Sequence, residues 1–221
     1  MSRVRRDASP PPRSWRVALW VLAAFNVGLM ALALGRGGEE VRDGAAGVTN
    51  GVIVAAGIAG TLLVAWLLGL APLPARIVAL ARGLALGAQV LHAGGHLFRA
   101  YYALPWYDDA LHAGLVALLG LLILAAARGR GFVFSWALGP TRVALLVWVG
   151  AVAAAGLWEV FEFLMDALLS TREQDDLHDT MADMLDGMLG GAVAAAYGWR
   201  AVRAEERGKA LADARSDELL D

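Results

Sequence analysis

Four histidines and a set of carboxylates recur at spacings that put them on shared helix faces. His92 and His96 are four apart, as are Asp108 and His112, Glu162 and Asp166, and Asp179 and Asp183. Glu159 and Asp166 are seven apart, and so are Asp179 and Asp186. Residues three, four or seven apart lie on one side of an α-helix, so each pair predicts a polar stripe. Imidazole beside carboxylate, in a chain with no cysteine, suits a divalent ion held by nitrogen and oxygen donors, with zinc, manganese and iron as the candidates. The candidate ligands are His92, His96, Asp108, His112, Glu159 and Asp183. A remaining carboxylate, Glu162 or Asp179, would serve as general base toward a water activated by the ion.

Positioning such groups requires elements that the composition identifies plainly. The 221 residues are 58% hydrophobic, more apolar surface than one soluble core of that length buries. Six segments approach the roughly 20 apolar residues needed to cross about 30 Å of hydrocarbon. They run 17–34, 48–70, 77–97, 110–127, 143–165 and 181–197, which predicts an all-α, polytopic transmembrane bundle of about six helices. Turn formers separate them: Gly35–Gly38, Pro72 and Pro74, Pro105, then Gly129, Gly131, Gly139 and Pro140. One transmembrane domain over 15–199 is expected, with a polar tail over 1–14 and a charged tail over 200–221. The first segment follows a basic stretch and ends in Ala31-Leu32-Ala33, as a cleaved signal would. Its apolar run is longer than a signal core, which favours a retained helix.

Arginine and lysine orient the segments, because short cytoplasmic loops keep them and short translocated loops rarely do. All of the 19 basic residues except Arg36, Arg42, Arg99 and Arg172 fall on one side of the alternating segments. Both termini are therefore expected in the cytoplasm of a plasma-membrane protein. Every histidine then falls at the outer end: His92 and His96 late in the third segment, His112 early in the fourth, His178 just before the sixth. The carboxylates named above join them there. Glu159 lies roughly 24 Å along the fifth segment, just inside the outer hydrocarbon boundary. An ionised carboxylate at that depth costs several kcal/mol unless it is paired, hydrated or metal-bound.

Simpler roles compete for several of these residues. Asp108, Asp109, Asp179 and Thr180 stand where helices begin and suit N-caps. Glu39, Glu40, Asp43, Glu173, Asp175 and Asp176 read as solvated loop charges. Tyr101, Tyr102, Trp106 and Tyr107 read as an interfacial aromatic belt. The spacing of Gly187 and Gly191 suits close helix packing.

Three stretches resemble the bacterial YjdF-like membrane proteins and, more distantly, the VanZ-like membrane proteins. Tyr107-Asp108-Asp109-Ala110-Leu111-His112 resembles the Y-D-x-x-x-H of the first family. Trp158-Glu159-Val160-Phe161-Glu162 resembles a following helix bearing E-x-x-E, and Asp179-Thr180-Met181-Ala182-Asp183-Met184 resembles the D-T-x-x-D-M that opens the last helix. The likeness spans roughly Leu91 to Ala194. Asp109 and Asp183 depart from the VanZ-like pattern, which has lysine and asparagine there, so the YjdF-like match is the better one. The resemblance implies topology and site residues and brings no established reaction.

The reading that follows is an envelope protein with an outward-facing pocket, a metal-dependent enzyme or binding protein acting on a lipid-linked or amphiphilic substrate. A proton- or cation-coupled transporter and a purely structural polar network are the alternatives. The near-zero net charge offers nothing to nucleic acid, and no G-x-S-x-G, phosphate loop or nucleotide fingerprint supports other hydrolase or nucleotide-dependent classes. The partner expected throughout is the lipid bilayer.

Overall fold

Apolar runs of this length can satisfy their backbone groups inside a bilayer only by coiling into helices. The computed structural model describes residues 12–42, 50–68, 70, 75–128, 138–169 and 176–218. Every regular element among them is helical: α1 (Arg13–Arg42), α2 (Asn50–Leu68), α3 (Ala75–Leu97), the single turn α4 (Ala100–Ala103), α5 (Tyr107–Arg128), α6 (Pro140–Leu169) and α7 (Leu177–Glu218). The polytopic helical bundle is thus present, and each of the six apolar segments is a helix. Helices α1, α3, α5 and α6 are long and apolar enough to cross a membrane, whereas the apolar part of α2, Ile53–Leu68, is shorter. Helix α7 falls outside that class because its first turns carry Asp183 and Asp186 and then three glycines. The expected turns at Pro72, Pro74, Gly129 and Gly131, the loop charges Asp43, Glu173 and Asp175, and the tail over residues 1–11 lie outside the described residues.

Two helix ends differ from the expectation. The turn expected at Gly35–Gly38 does not form, and α1 continues to Arg42. Glycine in a helix costs only about 1 kcal/mol relative to alanine, which neighbouring turns can absorb. Arg36 also anchors this stretch by donating to the Leu97 carbonyl at the end of α3. Asp176 is not a free loop charge. Its Oδ1 accepts the backbone N–H groups of His178 at 2.7 Å and Asp179 at 3.0 Å, which makes Asp176 the N-cap of α7. Asp179, expected as a cap, lies inside the first turn. At the far end α7 extends to Glu218 as one continuous helix, so most of the charged tail is helical.

The helices pack as two groups of three. Leu29 and Ala33 of α1, Val54, Ala55 and Ile58 of α2, and Ala93 and Leu97 of α3 form one core. Leu124 of α5, Val143 and Val147 of α6, and Ala194, Ala195 and Val202 of α7 form the other. Helix α3 joins the groups by packing on α5. The outer faces carry exposed Trp20, Phe25, Trp66, Val149, Leu157 and Val193, as a lipid-facing surface requires.

The second group explains how polar side chains converge. On α5 the inward face reads His112, Val116, Gly120 and Leu124, each four residues from the last. On α6 it reads Val147, Ala151, Ala155 and Glu159, and on α7 Asp183, Gly187, Gly191 and Ala194. Each polar residue continues a stripe of small or apolar residues that is already buried, so burying the stripe draws the polar end inward. Glycine sets the separation. A Cβ on Gly190 would collide with the Ala113 backbone of α5, and one on Gly187 would sit 2.7 Å from the Ala155 methyl of α6. The G-x-x-x-G spacing is therefore a packing device here.

Candidate functional site

One turn above these contacts, three helices present their polar ends to a common point. His112 of α5 stands at the centre. Its Nε2 lies 3.5 Å from Asp108 Oδ1, one turn earlier on α5, and 3.7 Å from Asp183 Oδ1 on α7. Its other nitrogen, Nδ1, lies 3.9 Å from Glu159 Oε1 on α6. Glu159 and Asp183 retain only 6% and 4% of their surface, and Asp108 stays more open, so the group is closed toward the bundle and accessible from the helix ends.

Those distances bear on what the group can hold. One donor atom each from Asp108, His112 and Asp183 lies within 4.8 Å of the other two. Donors bonded at 2.0–2.1 Å to a tetrahedral ion stand about 3.3 Å apart, so each carboxylate is within a few tenths of an ångström of that spacing from Nε2, and the two carboxylates would close on each other as they bind a common ion. Glu159 faces the opposite ring nitrogen. A carboxylate there is suited to fix the imidazole's tautomer and orientation.

The remaining expected residues are distributed nearby. His92 and His96 of α3 pack edge to face, with ring centroids 4.7 Å apart. His92 Nδ1 is 3.0 Å from the Tyr101 hydroxyl, and its ring meets Trp158 of α6 at 6.0 Å. The expectation that α3, α5, α6 and α7 form one four-helix bundle is thus met differently. Helix α3 belongs to the first group and meets the second through α5 and this aromatic contact. Glu162 accepts a hydrogen bond from the Trp158 indole N–H at 2.8 Å. Asp179 is half-buried one turn before Asp183, and Asp186, half-buried, lies a turn beyond it.

Tyr101 is the residue whose role the sequence did not reveal. Read as part of an aromatic belt, it folds back on α3, where its ring also contacts His96 and Tyr107 at 4.8 and 5.2 Å. Gly95 makes this possible, since a Cβ there would run into both tyrosine rings. The chain reverses through Arg99, whose left-handed backbone (φ 61°) ends α3 and starts α4. The Gly94-Gly95 pair beside His96 was the available signal. Tyr107 is held by donating its hydroxyl to the Leu91 carbonyl at 2.9 Å.

Comparison with known families fits this architecture. Residues 17–204, which reach into every helix of both groups, match the family described as predicted membrane protein (DUF2238). The chain belongs to that family. No curated protein and no solved structure matches it. Membership supports an integral membrane protein with several apolar helices, residing in a lipid bilayer.

Proposed function

We propose that the side-chain cluster at the ends of α5, α6 and α7 binds a divalent cation through Asp108, His112 and Asp183, with Glu159 orienting the imidazole from behind. The observation that carries this is the three-donor group within 4.8 Å, drawn from two helices and backed by a carboxylate on a third. One histidine and two carboxylates without thiolate suit zinc, manganese or iron. Such an ion polarises carbonyl or phosphoryl oxygens and lowers the pKa of a bound water. Asp179, on the open side of Asp183, is the better-placed general base, because Glu162 is engaged by Trp158. The pair His92 and His96, with Tyr101 and Trp158, would line the approach. The substrate class that fits a pocket at a membrane interface is lipid-linked or amphiphilic, handled by an enzyme or a binding protein. In this reading the protein is a plasma-membrane protein with both termini cytoplasmic and the pocket facing outward. The motif likeness to YjdF-like proteins belongs to the same proposal.

Elemental analysis tests it. Protein purified in detergent and equilibrated with zinc, manganese or iron should hold about one ion per chain. His112→Ala and Asp183→Asn should lose it while remaining inserted, and Asp109→Asn, at an exposed position, should keep it. Wild-type protein without stoichiometric metal, together with His112→Ala protein that loses only stability, would mean that the cluster is a structural network.

A further inference from the structure

At the other end of the molecule, the seam between the two helix groups is open among the described residues. Helix α3 touches α5 there, but α1 does not, and the gap forms a groove of about 470 Å³. Its walls include Trp15, Leu19 and Leu22 of α1, Ala79 and Gly83 of α3, and Leu118 of α5. Along α1 the lining runs from Trp15 to Leu22, roughly 10 Å, most of the depth of one bilayer leaflet. In hydrocarbon such an apolar slot is filled by the solvent itself, an acyl chain.

The charge around its mouth says which lipid. Arg76 is three, four and seven residues from Ala79, Leu80 and Gly83, on the face that lines the groove. Arg16 stands three residues from Leu19, and Arg13 opens α1 one turn earlier. All three are exposed, and no described carboxylate pairs with them. Two further arginines at this end are already engaged: Arg82 donates to the Ala65 carbonyl, and Arg128 pairs with Glu205. We infer that this groove is a binding site for an anionic glycerophospholipid, with one acyl chain in the seam between α1, α3 and α5 and its phosphate among Arg13, Arg16 and Arg76. The bound chain would complete the packing between two groups that otherwise meet mainly through α3 and α5. This inference is independent of the metal proposal.

The test is lipid retention. Full-length protein is reconstituted in vesicles of equal phosphatidylglycerol and phosphatidylcholine, extracted in mild detergent, and its retained lipid identified by native mass spectrometry. About one lipid per chain is expected, with phosphatidylglycerol enriched at least about fivefold, the effect of a single arginine at a membrane surface. Replacing Arg13, Arg16 and Arg76 together by glutamine should abolish the enrichment without disturbing the helices. Gly83→Leu, whose side chain would grow into the groove beside Leu19, should lower the amount retained. Equal retention of the two lipids, no retained lipid, or a lipid-free dimer closing the groove would each overturn the inference.

Discussion

Gly190→Ala should damage both the fold and the His112 cluster, because at Gly190 helix α7 lies directly against the α5 backbone. The added Cβ would collide with the Ala113 carbonyl oxygen and lie 2.9 and 3.1 Å from the carbonyl carbon and Cα of that residue. Carbon atoms pack best at about 3.5–4.0 Å and the carbonyl oxygen lies nearer still, so α7 must withdraw by roughly an ångström. Backbone is the obstacle, and no side-chain rotamer can relieve it. Overpacking of this kind costs about 1–3 kcal/mol. The same withdrawal moves Asp183, two turns earlier on the same face, away from His112. A site that tolerates about 0.5 Å of error would lose its geometry. Unfolding by SDS titration from mixed micelles reads the first effect, and metal content after equilibration reads the second. Gly156→Ala is the control, since a Cβ there meets nothing within 4 Å and should be neutral or stabilising by up to about 1 kcal/mol. Gly190→Ala protein as stable as Gly156→Ala protein, with its metal intact, would refute the account of how the pocket is assembled.

Further outcomes follow from other parts of the molecule. Cysteines introduced at Arg130 or Arg207 into this cysteine-free chain should resist an impermeant reagent in intact cells, and labelling there would reverse the orientation. Asn26, fully buried in the first helix group, donates to the carbonyls of Leu22 and Leu86 at 2.9 and 3.1 Å. Asn26→Ala should cost about 1–2 kcal/mol in the same titration, and an unchanged midpoint would show that the α1–α3 bond contributes nothing. The N–H groups of Asp179 and His178 hold the Asp176 carboxyl below its ordinary pKa. Because the folded value is depressed, the stability it adds is present above about pH 4 and is lost as pH falls through the folded value. Asp176→Ala should therefore lower the thermal midpoint slightly at pH 7, and the gap from wild type should shrink below pH 4; a constant gap would rule out capping by the ionised form. Arg128→Ala, which removes an exposed partner of Glu205, should change stability by less than about 1 kcal/mol in the same assay.

The sequence by itself determined the helices and the chemistry available to them. Runs of apolar residues near 20 long allow little but helix in a bilayer, so the six segments were legible from hydropathy and turn formers alone. Spacings of four and seven identified the polar faces of α3, α5, α6 and α7, because helical periodicity is a local property. Tertiary structure decided which faces meet. Periodicity does not say which helices are neighbours, so α3 carries its histidines in a different group from the His112 cluster. Which nitrogen of His112 faces Glu159, and which faces the two aspartates, depends on the relative height of α5, α6 and α7. That height is set by backbone contact at Gly190 and methyl contact at Gly187. The helix ends were least legible. The glycines at Gly35–Gly38 did not end α1, which Arg36 ties to the Leu97 carbonyl of α3, and Asp176 became a cap only because its oxygen meets two N–H groups that the fold leaves free. Tyr101 shows the same limit: its hydroxyl reaches His92 because the chain reverses at Arg99 over the gap left by Gly95, a contact between residues nine apart that no helical period relates.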